Sequence, residues 1–272
     1  KKCSLMQDVF IAGYSDKLSA RPGETITFSV SSKATSDFTA TLHRSISADP
    51  NPKGPGIVEE DASKYFEPTS FASRYQSFSP GSFAQSIADL SANIESELVI
   101  KLWFMPTILL AGNQTLIAWG DVSISLDQQG IITATLPNDI LLSSSASVKI
   151  HNWYSLEIKV LGSGTTKLNL QHLANSKTRL GSTNDKDEAA DIGQLFPLSI
   201  KGPIRIAASC DDPPSCFNGK IEAPEIRADG KLIAKWDFSQ GISSLSVKTK
   251  IGPNLLLKNA PTRGVTGRKW DA

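Results

Sequence analysis

From Tyr154 to Leu161 the chain alternates. Tyr154, Leu156, Ile158 and Val160 fall on one side, and Ser155, Glu157 and Lys159 on the other. A period of two marks a β-strand with one face in a core and one in water. Such a strand needs antiparallel neighbours and a second layer over its apolar face. The sequence offers the neighbours. Glu97 to Phe104 sets Leu98, Ile100, Leu102 and Phe104 against Val99, Lys101 and Trp103. Gln114–Asp121, Val122–Leu126 and Ile131–Leu136 follow, the last two joined by the turn Asp127-Gln128-Gln129-Gly130. Thr166–Leu170 returns after Gly162-Ser163-Gly164, and Ile204–Ala208, Lys220–Arg227 and Leu232–Phe238 complete the set. Short strands punctuated by Gly and Pro, with no long amphipathic helix, indicate a sandwich or barrel.

Ahead of these lies a different kind of chain. Arg21-Pro22-Gly23-Glu24 reads as a turn leading into Thr25–Val30, which is expected to form a hairpin with Phe38–Leu42. Asp49 to Gly56 carries three prolines and two glycines in eight residues and is expected to join this hairpin to the sandwich. Phe66, Phe71, Tyr75 and Phe78 are aperiodic and are expected to seal a core edge. The polar stretch Asn175–Asp191 reads as a surface loop or a single helical turn. The expected division is a β segment over 1–56, a sandwich over 57–240 and a trailing linker over 241–272.

Composition narrows the function classes. An apolar fraction of 40% allows a sizeable core, and a formal net charge of +1 gives no electrostatic basis for binding nucleic acid or an anionic membrane. The longest apolar patch, Leu102–Ala111, is broken by Pro106 and falls short of the roughly 18 residues of a membrane span. With no signal-like start, a cytoplasmic location is expected. The absence of an initiator Met and the plain ending Trp270-Asp271-Ala272 favour a piece of a longer protein. Cys210 and Cys216 flank Asp-Asp-Pro-Pro-Ser, and Cys3 is left over. Both readings stay open: a Cys210–Cys216 disulfide in an oxidising compartment, or three free thiols in a reducing one. Asn113-Gln114-Thr115 fits the glycosylation triplet, a pattern common by chance.

Six stretches carry a family likeness. They are Gly13–Glu24, the loop Asp49–Gly56, Gln114-Thr115-Leu116, Phe217-Asn218-Gly219-Lys220-Ile221-Glu222, Ala234–Ser239 with its Trp-Asp-Phe-Ser, and Asn259–Gly267 leading into Trp270. Together they span nearly the whole chain, which resembles the N-terminal region of the large (beta) subunit of the N,N-dimethylformamidase family. The resemblance implies a mainly β fold: a two-sheet antiparallel jelly-roll sandwich of the concanavalin A-like or laminin-G type, with the N-terminal β segment packed on it. It also implies that amide hydrolysis, at an iron held by tyrosines and a glutamate, resides in a domain further along the parent chain. No iron ligand is therefore carried over to a position here, and no cofactor is expected in this segment apart from calcium as an option. The expected partners are that C-terminal catalytic domain and other subunits, with carbohydrate as the alternative.

A glycanase of this fold needs two carboxylates about 5–5.5 Å apart. Glu95 with Glu97, and Glu222 with Glu225, do not match the Glu-x-Asp-x-x-Glu pattern and read as solvated strand faces. His43, His151 and His172 lie at no metal-ligand spacing, and His151 reads as a hydrogen-bonding residue of the sandwich. There is no Gly-x-Ser-x-Gly elbow, and Gly162–Lys167 reads as a hairpin turn, not a phosphate loop. A lectin-like site would draw on an exposed aromatic beside oxygen ligands. The candidate binding residues are Trp119 with Asp121, and Asp211 and Asp212 with Asn218; Trp103 and Trp153 are further aromatics. The competing reading packs Trp119 and Trp153 inside the sheets and uses Asp211 and Asp212 to cap a turn.

Overall fold

The computed structural model describes residues 10–17, 19–49, 51, 53–76, 81–109, 112–173, 186–191, 195–212 and 214–271. The chain divides into two compact units, Lys1–Phe78 and Ser79–Ala272.

The described part of unit one holds β1 (Ile11–Ser15), β2 (Phe28–Ser32), β3 (Phe38–Ala40), β4 (His43–Ala48), β5 (Ile57–Asp61) and β6 (Thr69–Phe71). They form three separate antiparallel ribbons, β1–β2, β3–β6 and β4–β5. The expected hairpin of Thr25–Val30 with Phe38–Leu42 does not form. Residues 28–32 pair backwards, Tyr14 opposite Ser29 and Gly13 opposite Val30, while Phe38 lies opposite Phe71. Alternation identifies a strand and its faces but not its partner, so the sequence pattern is equally compatible with either pairing. Asp49–Gly56 is likewise not a join between domains. It is the turn of the β4–β5 ribbon, where Asp49 Oδ1 accepts from the Asn51 amide (2.9 Å) and Asn51 Oδ1 from the Lys53 amide (3.1 Å). Phe66, Phe71 and Tyr75 do not seal a core edge; all three are exposed, and Phe71 stacks on Phe38 at 5.7 Å. Phe78 lies outside the described residues.

Unit two runs β7 (Phe83–Ser86), β8 (Leu90–Ile94), β9 (Glu97–Pro106), β10 (Gln114–Trp119), β11 (Val122–Leu126), β12 (Ile132–Leu136), β13 (Ile140–Ser143), β14 (Tyr154–Leu161), β15 (Thr165–His172), β16 (Lys186–Asp191), β17 (Leu198–Gly202), β18 (Ile204–Ile206), β19 (Gly219–Ala228), β20 (Lys231–Lys235), β21 (Ser246–Val247) and β22 (Leu255–Lys258). One sheet has the order β13-β12-β11-β10-β18-β7-β22-β21, the other β16-β15-β14-β9-β19-β20, and β8 pairs with β17. The fold is a mainly β, two-sheet antiparallel sandwich.

The alternation read from the sequence sets its core. Leu156, Ile158 and Val160 lie opposite Leu102, Ile100 and Leu98 on β9, and Leu156 and Ile158 opposite Leu170 and Leu168 on β15. Their side chains share one buried cluster with Leu116, Ile124, Leu126, Ile132 and Leu136 from the eight-stranded sheet. Each such Leu or Ile contributes about 1.5–3 kcal/mol on burial. The Asp127 turn forms as expected: its carboxylate accepts from the Gln129 and Ile131 amides, and Gly130 takes a left-handed φ of 83°. At the β19–β20 turn, Asp229 and Gly230 both have positive φ, the geometry of a tight hairpin. The Asp229 carboxylate reaches the β8–β9 turn, accepting from the amides of Glu95 (3.0 Å), Ser96 (2.7 Å) and Glu97 (3.0 Å). The Glu95 amide, the Ser96 hydroxyl (2.8 Å) and the other two amides hold its pKa down at about 2.

Two boundaries differ from expectation. Residues from 241 onward supply β21 and β22, and β22 pairs with β7, with Leu257 opposite Ala84. Leu255 and Val247 are buried, so this stretch is part of the sandwich rather than a bare linker. Residues 186–191, read as loop or helical turn, form a strand paired with β15; 175–185 lie outside the described residues.

Candidate functional site

The sequence-derived candidates do not converge. Trp119 ends β10 with 1% of its surface exposed, its indole N–H donating to the Leu90 carbonyl at 2.9 Å. A side chain sealed this way presents no free face for stacking on a sugar. Asp121 is exposed in the β10–β11 turn just beyond it. Asp211 and Asp212 are exposed in the loop after β18. That loop adjoins the opposite end of β10, where Cys216 bridges to Thr115. Thr115 and Trp119 are four residues apart on an extended strand, about 13 Å. Asn218 lies on the Thr115 side: its amide donates to Gln114 Oε1 (2.8 Å), and its Oδ1 accepts from the Thr107 hydroxyl (2.7 Å). It holds two loops together.

Cys210 and Cys216 are free thiols. Burial pushes both thiols up, against a weaker opposite pull from Arg205, so neither is an activated nucleophile. His151 is exposed, with φ at 61° and its backbone amide donating to the Pro106 carbonyl; its hydrogen bond to the sandwich is through the backbone, not the imidazole. Among the described residues no group of three or more His, Cys, Asp or Glu is placed to hold a metal ion.

What the fold does assemble is on the outer face of the six-stranded sheet. In the register of β9 with β19, Glu222 lies opposite Trp103. The last described residues, a single helical turn Arg268–Asp271, sit on this pair. The Arg268 guanidinium lies 4.4 Å from the Trp103 ring centroid, and its Nε donates to Glu222 Oε2 at 2.9 Å. Glu222 Oε1 accepts the Arg268 amide at 2.8 Å. One carboxylate thus holds both the backbone and the side chain of the same residue. Beside it, Lys220 Nζ donates to the Thr266 carbonyl (2.8 Å), the Thr266 hydroxyl (2.9 Å) and Asp271 Oδ2 (2.9 Å). Trp153, 3% exposed, donates its indole N–H to the same Asp271 oxygen at 3.0 Å. Burial pushes the Asp271 carboxyl up, but hydrogen bonds from Thr266, Lys220 and Trp153 outweigh it and its pKa ends below the ordinary value.

Upstream the same segment is held again. The Arg263 guanidinium donates to the carbonyls of Phe238, Gln240, Gly241 and Ser244, gathering the loop after β20. Asn259 Nδ2 donates to the Gly81 carbonyl at 2.9 Å. Trp236, fully buried, donates its indole N–H to the Pro253 carbonyl at 2.8 Å. Two of the six stretches that carried the family likeness, around Lys220 and Phe238, thus hold a third, around Arg263 and Thr266. Trp103 and Trp153 stand out in the sequence as aromatics, whereas their partners Arg268 and Asp271 are distant in the chain and follow no spacing rule.

The rest of this face is a lattice of opposite charges. Lys101 pairs with Glu157 at 3.3 Å and Lys159 with Glu97 at 2.5 Å. Glu225 pairs with Arg227 (3.3 Å) and Lys235 (3.2 Å), whose bonds outweigh burial and lower its pKa. Glu95 lies in the turn ahead of β9, not beside Glu97 on the strand face. Carboxylates committed to bases in this way are not poised as an acid–nucleophile dyad.

Fold and face together define a β-sandwich module with its C-terminal segment strapped across one sheet. No protein-family model matches the chain. The resemblance read from the sequence stands: the chain is 30% identical over 319 positions to the N,N-dimethylformamidase beta subunit of Paracoccus aminophilus, covering 98% of this chain and 41% of that protein. It is 27% identical over 321 positions to the beta subunit from Alcaligenes sp, with the same coverage of each. The chain thus spans about two-fifths of the length of these relatives. Among solved structures, a native heptameric SAP-like pentraxin from Limulus polyphemus overlaps with TM-score 0.37 and 13% identity, over 54% of this chain and 69% of that one. Scytalido-glutamic peptidase overlaps with TM-score 0.38 and 8% identity, over 65% and 98%. Overlaps this loose bear on neither fold nor function.

Proposed function

We propose that this chain is a non-catalytic β-sandwich module, of concanavalin A-like or laminin-G type, in the N-terminal part of a larger dimethylformamidase-like amidohydrolase. Its role is to hold residues 266–271 on the outer face of the six-stranded sheet and so fix the orientation of the domain that follows. The observation that carries this is the strap. Trp103, Trp153, Lys220 and Glu222 converge on Arg268 and Asp271, at the end of the described chain. Fixing a chain exit at several points makes the next domain's placement definite rather than freely jointed. The iron chemistry implied by the resemblance belongs to the rest of the parent protein, and no residue here is assigned to it.

Two measurements test the reading. The 272-residue chain, assayed for amide and glycan hydrolysis, is expected to show no turnover above blank; turnover would overturn the non-catalytic assignment. The parent protein carrying Lys220→Ala with Glu222→Ala is expected to show lower hydrolytic activity and an added early unfolding step in calorimetry. A variant that matches the native protein in both would remove the positioning role. A glycan array with and without calcium addresses the carbohydrate alternative, for which Asp211, Asp212 and Asn218 remain the residues to substitute.

A further inference from the structure

Among its described residues, unit one has strands without a buried core. Among its described residues only Ser32 and Ala62 are buried. Twelve of its large apolar side chains are exposed, among them Ile57 and Tyr65 at 77%, Phe28 at 70% and Phe10 at 62%. An isolated two-stranded ribbon is marginal in water, because the backbone order it imposes is not offset by burial. Three such ribbons in one unit need apolar cover from elsewhere. Fully covering a Phe or Tyr removes about 150–250 Å² from water, so twelve partly exposed side chains amount to on the order of 1,000 Å². Spread over three ribbons and both of their faces, this total is comparable with the roughly 800 Å² per partner of a stable interface.

The charge of the unit says what kind of surface fits. Residues 1–78 contain nine Lys and Arg and nine Asp and Glu, a formal charge of zero. Neutrality selects against nucleic acid and anionic lipid and in favour of an uncharged, apolar protein face. The outer edge of a two-stranded ribbon can be extended by a partner strand, although at β2 the Ser32 amide already donates to the Arg74 carbonyl (3.0 Å).

We propose that unit one is an interface unit whose apolar ribbons are covered, in the intact parent, by the portion of that protein lying outside this chain. This rests on the reading of the chain as a module of a longer protein. The curated relatives keep more than half of their length outside the matched region, since the match covers 41% of them. A surface in the same polypeptide acts at an effective concentration of order mM, well ahead of a second copy recruited from bulk.

Hydrogen exchange by mass spectrometry, run on the 272-residue chain and on the intact parent, tests this. In the chain alone, amides of β1–β6 are expected to exchange about 100-fold faster than in the parent, with the chain monomeric in sedimentation. In the parent, Ile57→Lys with Tyr65→Lys is expected to raise exchange in β4–β5 and leave residues 259–271 unchanged. Equal protection of β1–β6 in the monomeric chain and in the parent would overturn the proposal, since the cover would then lie within the 272 residues. Protection that appears only as the chain dimerises would overturn it in favour of a second copy. Failure here leaves the strap readouts intact, whereas amide turnover by the 272-residue chain would sink the module reading and leave the exchange result standing.

Discussion

Replacing Arg268 by Ala isolates one anchor of the strap. The substitution removes the guanidinium from the Trp103 face and from Glu222 Oε2, while the Arg268 amide keeps its bond to Glu222 Oε1. The Arg268 and Glu222 side chains retain 30% and 31% of their surface exposed, so solvent screens the pair substantially. An ion pair of this kind contributes about 0.2–1 kcal/mol, and a cation over an indole at such a site about 0.5–1 kcal/mol. Their joint loss is about 0.7–2 kcal/mol, which raises the fraction of molecules with the strap open by about 3–30-fold. Lys220, Trp153 and Asp271 remain, so the strap loosens without detaching. The assay is amide exchange of the 259–271 peptide in Arg268→Ala, Glu222→Gln and the double variant. The two single effects are expected to overlap in the double, because both remove the same contact. Exchange unchanged within about twofold, or strictly additive effects, would refute the coupling.

Three further outcomes are expected. Ile158→Ala, at a site 1% exposed, is expected to cost about 2–5 kcal/mol, read as a lowered midpoint in urea unfolding of the sandwich. Asp229 has a folded pKa of about 2 against an ordinary 3.8, so its contribution is present above about pH 4 and is lost as pH falls through 2. The stability gap between native protein and Asp229→Asn is therefore expected to be widest near neutrality and to close in acid, followed by denaturation at stepped pH. With burial raising both thiols, Cys210 and Cys216 are expected to react with a disulfide reagent more slowly than free cysteine at pH 7, and faster after unfolding.

The faces of the strands were legible because alternation is local. Leu98, Ile100, Leu102 and Phe104 on β9, and Tyr154, Leu156, Ile158 and Val160 on β14, all fall inside the core as their spacing requires. The turns at Asp127 and Gly162 were legible for the same reason: the residues that make them are adjacent. Partner choice was not legible. β2 pairs with β1 and β3 with β6, choices that the intervening Thr25–Leu42 sequence does not encode. Nor could spacing reveal that Trp119, a plausible platform by composition, is sealed against the Leu90 carbonyl.

The sequence by itself determined a layered, antiparallel β protein and the side chains that fill it, since strand periodicity and turn chemistry depend on neighbours in the chain. Only the tertiary structure decided that residues 266–271 return to the sheet. Arg268 meets Glu222 across 46 positions and Asp271 meets Trp153 across 118. Contacts at those separations leave no period to read, because they are selected by which surfaces the folded strands bring face to face.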